Sequence, residues 1–331
     1  MISIPSFAKI NLGLKIGPAR PDGLHELRTI YQTLAIHDLV RVEADAGSGI
    51  EIRCEDDRVP KDPSNTCYKI AERVLQTTGN RGKISIEIEK HLPVQGGLGA
   101  ASSNAVMTML ALERELGVSL SPADKLRIAA EVGSDLPLFL IGGTVLGVGR
   151  GEEVYPLPDS PRIDVVMVTP PVGVSTSKAF ARWDELNARE SSLTAAQGAS
   201  TMDEFSVRVF SWLSASFPQA SADVEPASGV PAMGGNRAET LLLDLVRAGI
   251  ENDFERVVFP EYPDLREVKE LLLCEGAQYA SLSGSGSTLY GLFASETEAQ
   301  SAMERMTAAG HKAIATTTLT RTEYWQALVS G

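Results

Sequence analysis

The chain has 331 residues, with 30 Lys and Arg against 43 Asp and Glu for a formal net charge of −13, and it is 43% hydrophobic and 22% charged. That is ordinary globular composition, and the length suffices for two domains with sizeable cores. The acid excess excludes a protein that grips nucleic acid or an anionic membrane by charge, because either polyanion is repelled at long range, but it leaves room for one small anionic ligand in a local site.

From the N-terminus, Ile10, Leu12, Leu14 and Ile16 alternate and predict a strand, which ends in a turn over Pro18 to Gly23. Met1 to Asn11 lacks the pattern of basic then apolar residues that marks an export signal. A second apolar stretch runs from Ile30 to Val42. Thr66 to Thr77 carries Ile70, Val74 and Leu75 at helical spacing, and Lys83 to Glu89 alternates with Ile84, Ile86 and Ile88 on one face, predicting a half-buried strand that runs into Pro93. Cys54, Cys67 and Cys274 are odd in number and far apart, without a CxxC pair or a His at metal-ligand spacing. They predict free thiols in a reducing cytoplasm and no protein-held metal.

After Pro93 comes the most informative stretch, the turn Gln95 to Asn104 (QGGLGAASSN), followed by a helix through Val106, Met109, Leu110 and Leu112. Glycines let a backbone approach a ligand closely, the Ser-Ser-Asn run offers N-cap chemistry, and amides at a helix N-terminus attract phosphate. No carboxylate occurs from Lys90 to Leu112 in an otherwise acidic chain. The stretch has neither the G-x-x-x-x-G-K-[ST] of a Walker loop nor the G-x-G-x-x-G of a dinucleotide fold. It reads equally as a plain strand-to-helix connection or as a phosphate cradle.

A second cluster, Gly142, Gly143 and Gly147 to Glu152, follows Gly133 to Pro137 (GSDLP), where Asp135 has the position of a helix cap. The longest uncharged apolar stretch, Leu136 to Gly149, is broken by Pro137 and these glycines and is too short to span a bilayer. Residues 190–239 thin into Ser, Ala and Gly, with one amphipathic helix expected around Phe205, Val209, Phe210 and Leu213. A third cluster, Leu282 to Ser287 (LSGSGS), reads as strand, glycine loop, strand. Three such loops in one chain suggest that they converge.

Three stretches in this order, Ser6 to Leu12 (SFAKINL), Gly96 to Ser103 and Leu282 to Ser287, resemble the signatures of the GHMP small-molecule kinases. Arg20 to Leu27 (RPDGLHEL) resembles the substrate loop of the branch that phosphorylates a cytidine-diphosphate-linked methylerythritol, and Asn252 to Glu255 and Gly147 to Glu152 match the same branch. The resemblance implies an α+β, two-domain GHMP kinase fold. Residues 1–157 would resemble ribosomal protein S5 domain 2, residues 158–331 would be ferredoxin-like with 190–239 as a partly flexible insertion, and the active site would lie between.

It further implies ATP as phosphate donor, carried as its Mg²⁺ complex, and a small-molecule acceptor, and it leaves a homodimer open. By motif, Lys9 and Asp135 would be the catalytic pair. Asn65, Lys90 and the turn Gly96, Gly97, Leu98, Gly99, Ala100, Ala101, Ser102 and Ser103 would hold ATP. Asn11 and Thr176 would position the hydroxyl, His25 and Phe180 would read and stack the cytosine beside Leu24, and Ser283, Gly284 and Ser285 would complete the substrate site. Leu24 stands where the family usually has Tyr, and Asn104 where it commonly has Asp. Two other readings stay open: a homoserine- or mevalonate-type kinase of the same superfamily, and a non-catalytic ATP and metabolite sensor, which would have no need of the Lys9 and Asp135 pair.

Overall fold

The computed structural model describes residues 1–94, 96–191, 202–209 and 251–330; most of the expected 190–239 insertion, Phe210 and Leu213 with it, lies outside the described residues. Two long strands, β1 (Ile2–Ala19) and β2 (His25–Asp45), pair antiparallel through the turn at residues 20–24. Their register shifts between Phe7 and Lys9, between Asn11 and Gly13, and between Ile16 and Ala19, and each bulge bends the ribbon and re-aims its side chains. β1 therefore runs through three cores in turn: Ile4 and Phe7 in the first, Ala8, Ile10 and Leu12 in the second, Leu14 and Ile16 in the third.

The first sheet has six strands, in the order β3-β4-β2-β5-β6 with β1 also on β2, where β3 is Gly49–Cys54, β4 Lys83–Glu89, β5 Thr144–Val148 and β6 Glu153–Pro156. β3 and β4 are parallel, so their connection needs a crossover, supplied by helix α1 (Thr66–Thr78). α1 and α2 (Ala100–Leu116) pack on the sheet through Ile70, Val74, Val106, Met109 and Leu112, with α3 (Pro122–Val132) behind them. Ile84, Ile86 and Ile88 point into that core from β4 as the alternation predicts.

The second sheet orders as β10-β7-β9-β8, all antiparallel, with β7 Asp164–Val168, β8 Tyr279–Leu282, β9 Leu289–Phe293 and β10 Ala313–Thr317. Helices α4 (Thr176–Ser191), α5 (202–209), α6 (Glu255–Glu261) and α7 (Pro263–Cys274) fall between β7 and β8, and α8 (Glu296–Ala308) between β9 and β10. Taking α7 as the first covering helix, the chain runs βαββαβ with strand order 4-1-3-2, which is the ferredoxin-like arrangement. In α5, Met202, Phe205 and Val209 are buried, as the periodicity predicts. The last helix, α9 (Arg321–Ser330), returns to the first core through Tyr324 and Leu328.

One local expectation fails. The Ser-Ser-Asn run does not cap α2: the helix starts earlier, its N-cap is Gly99 in the left-handed region at φ 68°, and no side chain caps it. The first turn is thus pinned by backbone alone, with Ser103 N–H donating to Gly99 O at 2.8 Å.

Candidate active site

The bulges place Lys9 and Asn11 side by side in the middle of β1. The Lys9 ammonium, 3% exposed, lies 3.3 Å from Asp135 Oδ2 and donates to Asn11 Oδ1 at 2.7 Å. Asn11 Nδ2 donates to Thr29 Oγ1, which donates to Gly13 O, each at 2.8 Å. A lysine this deep stays charged at tolerable cost only when paired and hydrogen-bonded. Asp135 is not a helix cap: the 3₁₀ turn Pro137–Leu140 starts from Leu136 without one. Its carboxylate faces the cleft instead, and Oδ1 accepts the Tyr31 hydroxyl at 3.1 Å. Burial, then the charge of Asp135, pushes the Tyr31 phenol well above its ordinary value, so it remains a donor.

Asp135 and Lys9 are remote in sequence: the pairing of β1 with β2 sets Lys9 near Tyr31, and the turn between α3 and β5 carries Asp135 to both. Tyr31, the one Phe, Tyr or Trp of the stretch Ile30 to Val42, lies in no motif of the sequence.

The glycine turn forms one wall of this site. Lys9 N–H donates to Leu98 O at 2.9 Å, tying the turn to β1. Gly97 (φ 78°) is crossed closely by the late loop: a Cβ there would overlap the Ser283 carbonyl oxygen and stand 3.1 Å from that of Gly286. Ser283 Oγ donates to Gly97 O at 2.9 Å, and Thr288 N–H donates to Gly96 O at 3.1 Å. The first and third glycine clusters therefore converge. The second reaches the same cleft through Arg150, and Gly149 O accepts from Leu27 N–H at 2.6 Å.

On the outer side of the turn is a pocket of about 350 Å³. It is walled by Asn65, Lys90, Gly96 to Ser102 and the loop Arg58 to Pro60, and the uncapped N-terminus of α2 opens into it. That combination of amides and glycine suits a polyphosphate. Three of the expected contact residues also do structural work. Asn65 caps α1, its Oδ1 accepting from Cys67 N–H at 2.8 Å. Lys90 pairs with Asp38, a fully buried carboxylate that also accepts from the His91 and Leu92 amides and from Asn104 Nδ2. Ser103 is buried away from the pocket and accepts a hydrogen bond from Ser6.

On the inner side is a cleft of about 540 Å³ lined by Lys9, Asn11, Tyr31, Asp135, Gly284 and Ser285, and further out by Leu24, His25, Thr176 and Phe180. Thr176 and Ser285 share a hydrogen bond of 2.7 Å. His25 and Phe180 stack at 5.2 Å with 6° between their planes, and Leu24 is nearly half exposed at the rim. Ser283 alone of the expected substrate contacts is withdrawn, its hydroxyl spent on Gly97 O.

Asn252 to Glu255, matched by motif without a role, braces the late loop. Asn252 Nδ2 donates to Leu282 O and Gly284 O at 2.8 and 2.7 Å. Glu255 accepts from the Ser281 hydroxyl and the Leu282 amide. Asp253 pairs with Lys15 at 2.8 Å, although burial holds its carboxyl above the ordinary range.

A split βαββαβ sheet joined to a six-stranded one, with a glycine-turn helix N-terminus beside a Lys–Asp pair at the joint, defines a GHMP-type small-molecule kinase. The GHMP kinases N terminal domain model matches residues 65–143 and the GHMP kinases C terminal model residues 237–312. A solved structure of 4-(cytidine 5'-diphospho)-2C-methyl-D-erythritol kinase superposes with a TM-score of 0.70 at 26% identity, covering 96% of this chain and 99% of that one. The Leishmania major mevalonate kinase structure, bound to R-mevalonate, gives 0.68 at 14% identity over 97% and 96%, so shape does not separate the branches. Sequence does. The 4-diphosphocytidyl-2-C-methyl-D-erythritol kinase of Solibacter usitatus is 36% identical over 87% of this chain and 80% of its own. That of Moorella thermoacetica is 31% identical over 96% and 99%. The chain belongs to the 4-diphosphocytidyl-2-C-methyl-D-erythritol kinase family.

Proposed function

We propose that this protein transfers the γ-phosphate of ATP to a hydroxyl of 4-diphosphocytidyl-2-C-methyl-D-erythritol, with Lys9 and Asp135 as the catalytic pair. The observation that carries the reading is that Gly97 and Gly99 wall both the outer pocket and the inner cleft, with Lys9 and Asp135 on the cleft side. ATP seated on the turn, its phosphates on the α2 amides, then presents its terminal phosphate to the cleft. An acceptor hydroxyl beside Asn11 and Thr176 meets it there. Positioning and charge neutralisation are what phosphoryl transfer asks of a protein.

Asp135 takes the hydroxyl's hydrogen bond and, as the new O–P bond forms and the bond between the γ-phosphorus and the bridging oxygen breaks to release ADP, its proton. Lys9, 3.3 Å from that carboxylate, holds it in place and offsets charge on the transferring group. Asn65, Lys90 and the turn 96–102 shape the ATP side, while Ser103 and Ser283 support it from behind. His25, Phe180 and Leu24 take the cytosine, and Ser285 and Gly284 close the substrate side.

The residues present fit ATP, since the uncapped helix N-terminus and the positive-φ glycines leave amides open to it. The Mg²⁺ that ATP carries supplies charge neutralisation to the phosphates. Among the described residues no group of three or more His, Cys, Asp or Glu side chains is placed to hold it; the Ser102 hydroxyl, which lines the outer pocket, would be available to it there. The reading divides the chain into 1–157 and 158–331, with α9 strapped back onto the first part, and sets it in the cytoplasm, in keeping with its free cysteines. Among the described residues no helix is long and apolar enough to cross a membrane.

The test is ATP turnover on three acceptors. The cytidine-diphosphate substrate should exceed homoserine and mevalonate by orders of magnitude, and Asp135→Asn should lower kcat roughly 10²- to 10⁴-fold while calorimetry still registers ATP. The reverse preference, or full turnover in Asp135→Asn, refutes the reading.

A further inference from the structure

Asn252, 1% exposed, stands behind the inner cleft without lining it. Its backbone is tied to β1. Leu14 N–H donates to Glu251 O at 3.0 Å and Asp253 N–H donates to Leu14 O at 2.9 Å, so Asn252 forms a parallel bridge with Leu14, a short way along β1 from Asn11. Its side chain is tied to the late loop: Nδ2 carries two protons and spends both there, on Leu282 O and Gly284 O. Oδ1 accepts from Phe254 N–H at 3.1 Å. That fixes the orientation of the amide, because the reversed one would set an oxygen against two carbonyls.

The other side of the held loop is the cleft. Gly284 (φ 56°) runs so close to the reacting side chains that a Cβ there would stand 3.4 Å from Asn11 Oδ1 and 3.5 Å from Lys9 Nζ. The next residue, Ser285, shares its hydroxyl with Thr176. Asn11 and Thr176, which place the acceptor hydroxyl in the proposed reaction, thus come from opposite halves of the chain, and Asn252 is bonded to the strand that carries the first and to the loop that holds the second.

We propose that Asn252 is a positioning residue for phosphoryl transfer: it fixes the gap between Asn11 and Thr176, and through that gap it keeps the transfer directed to the substrate's hydroxyl instead of water. This rests on the proposed reaction and names what keeps it coupled. A displacement of about an ångström costs a held hydroxyl roughly a hundredfold in rate, whereas a small, freely diffusing water loses nothing by it. When the gap drifts, water takes the hydroxyl's place. Its oxygen bonds to the γ-phosphorus, the bond from that phosphorus to the bridging oxygen breaks, ADP and inorganic phosphate leave, and the water's proton passes to Asp135. Suppressing such hydrolysis is part of what a fitted site does.

The experiment compares wild type with Asn252→Asp, Asn252→Ser and Ser281→Ala at pH 8, measuring ADP and the phosphorylated cytidine-diphosphate acceptor separately in the same reaction. Asn252→Asp keeps the shape and the bond from Phe254 N–H but turns both donations to the loop into repulsions. Asn252→Ser keeps one shorter donor. Ser281→Ala is the structural control, since it removes a buried hydroxyl that donates to Glu255 at the root of the same loop, outside the cleft. Wild type should release about one ADP per product, as the transfer stoichiometry requires. Asn252→Asp should form product roughly a hundredfold more slowly while ADP release falls far less, so the ADP-to-product ratio rises several-fold. Asn252→Ser should show a smaller rise, and Ser281→Ala a loss of stability in urea with the wild-type ratio. Misfolding lowers ADP and product together, so variants of Asn252 that keep the wild-type ratio overturn the assignment whatever their kcat. If Asn252→Asp does not fold, Asn252→Ser against Ser281→Ala decides, and equal ratios in those two overturn it. A wild type that does not phosphorylate this acceptor overturns the proposed reaction itself, and the role of Asn252 falls with it.

Discussion

The two sides of the glycine turn are built from different materials. The outer pocket is backbone: glycines in the left-handed region, an uncapped helix N-terminus, and side chains such as Asn65 and Lys90 that spend their polar atoms on capping and on Asp38. The inner cleft is side chain: Lys9, Asn11, Tyr31 and Asp135 at its floor, His25, Phe180 and Asp184 at its rim. A polyphosphate is the same in every reaction of a kinase family, and amides read it without a side chain to drift. The acceptor differs between branches, and only side chains supply the edges and charges that tell one acceptor from another.

Apart from the loss of Asp135 itself, breaking the backbone side should have the largest effect. Gly97→Ala adds a Cβ that overlaps the Ser283 carbonyl, in a conformation an L-residue adopts at a cost of about 1–2 kcal/mol. The late loop cannot yield easily, because Asn252 holds Leu282 O and Gly284 O and Ser283 is bonded back to Gly97. Steady-state kinetics should show kcat/KM for ATP reduced by roughly two orders of magnitude or more, in line with the loss expected when reacting groups are displaced by an ångström. If activity survives within a few-fold of wild type, the turn is not the phosphate seat.

This division also governs what the sequence discloses. Glycine clusters, strict alternation in Ile84 to Ile88 and helical spacing around Ile70 are local patterns, and the elements they predict are present. Ser102 to Asn104 look like a cap in the sequence, whereas α2 starts from Gly99 without one and its first turn opens into a pocket. The Lys9, Tyr31 and Asp135 contact was not legible from spacing at all, since it forms through strand pairing between distant segments, and Lys9 and Asp135 entered only through the motif resemblance. Tyr31 lies in no recognisable motif, and only the folded chain puts it beside its partners. Nor does a sequence tell that Lys90, in the wall of the outer pocket, is paired with a buried carboxylate.

A second substitution probes whether side chains on the outer side act as scaffold. Asn104 donates to the fully buried Asp38, a contact that needs an amide rather than a carboxylate at this position. Asn104→Asp replaces a donor by a like charge, and we expect a loss of about 2 kcal/mol in denaturant unfolding at pH 8. The sign with pH follows from linkage. Crowding two carboxylates raises one folded-state pKa above its unfolded value, so the native state binds more protons, and the penalty grows as pH rises through the carboxylate range and shrinks as it falls. The deficit should therefore be smaller at pH 5 than at pH 8, with KM for ATP nearly unchanged. A variant that keeps its stability but loses ATP affinity would make Asn104 a ligand contact and blur the division.

The smallest effect is expected from Tyr31→Phe, on the side-chain half. The ring stays in the first core, and only the hydroxyl that holds Asp135 Oδ1 at 3.1 Å is lost. Lys9 still holds Oδ2, so the carboxylate keeps its charge partner but gains freedom to rotate. Loss of one orienting hydrogen bond should lower kcat roughly tenfold, leave KM for ATP alone, and change stability by no more than about 1 kcal/mol, because one end of that bond already faces the open cleft. Because burial and the Asp135 charge push the phenol well above its ordinary value, it stays protonated throughout the assay range. The pH–rate profiles of wild type and variant should therefore keep the same limbs, displaced only in height. An alkaline limb that vanishes with the hydroxyl would mean that Tyr31 gives up its proton during turnover, and the floor of the cleft would then hold a proton relay of two groups rather than a single carboxylate held in place by its neighbours.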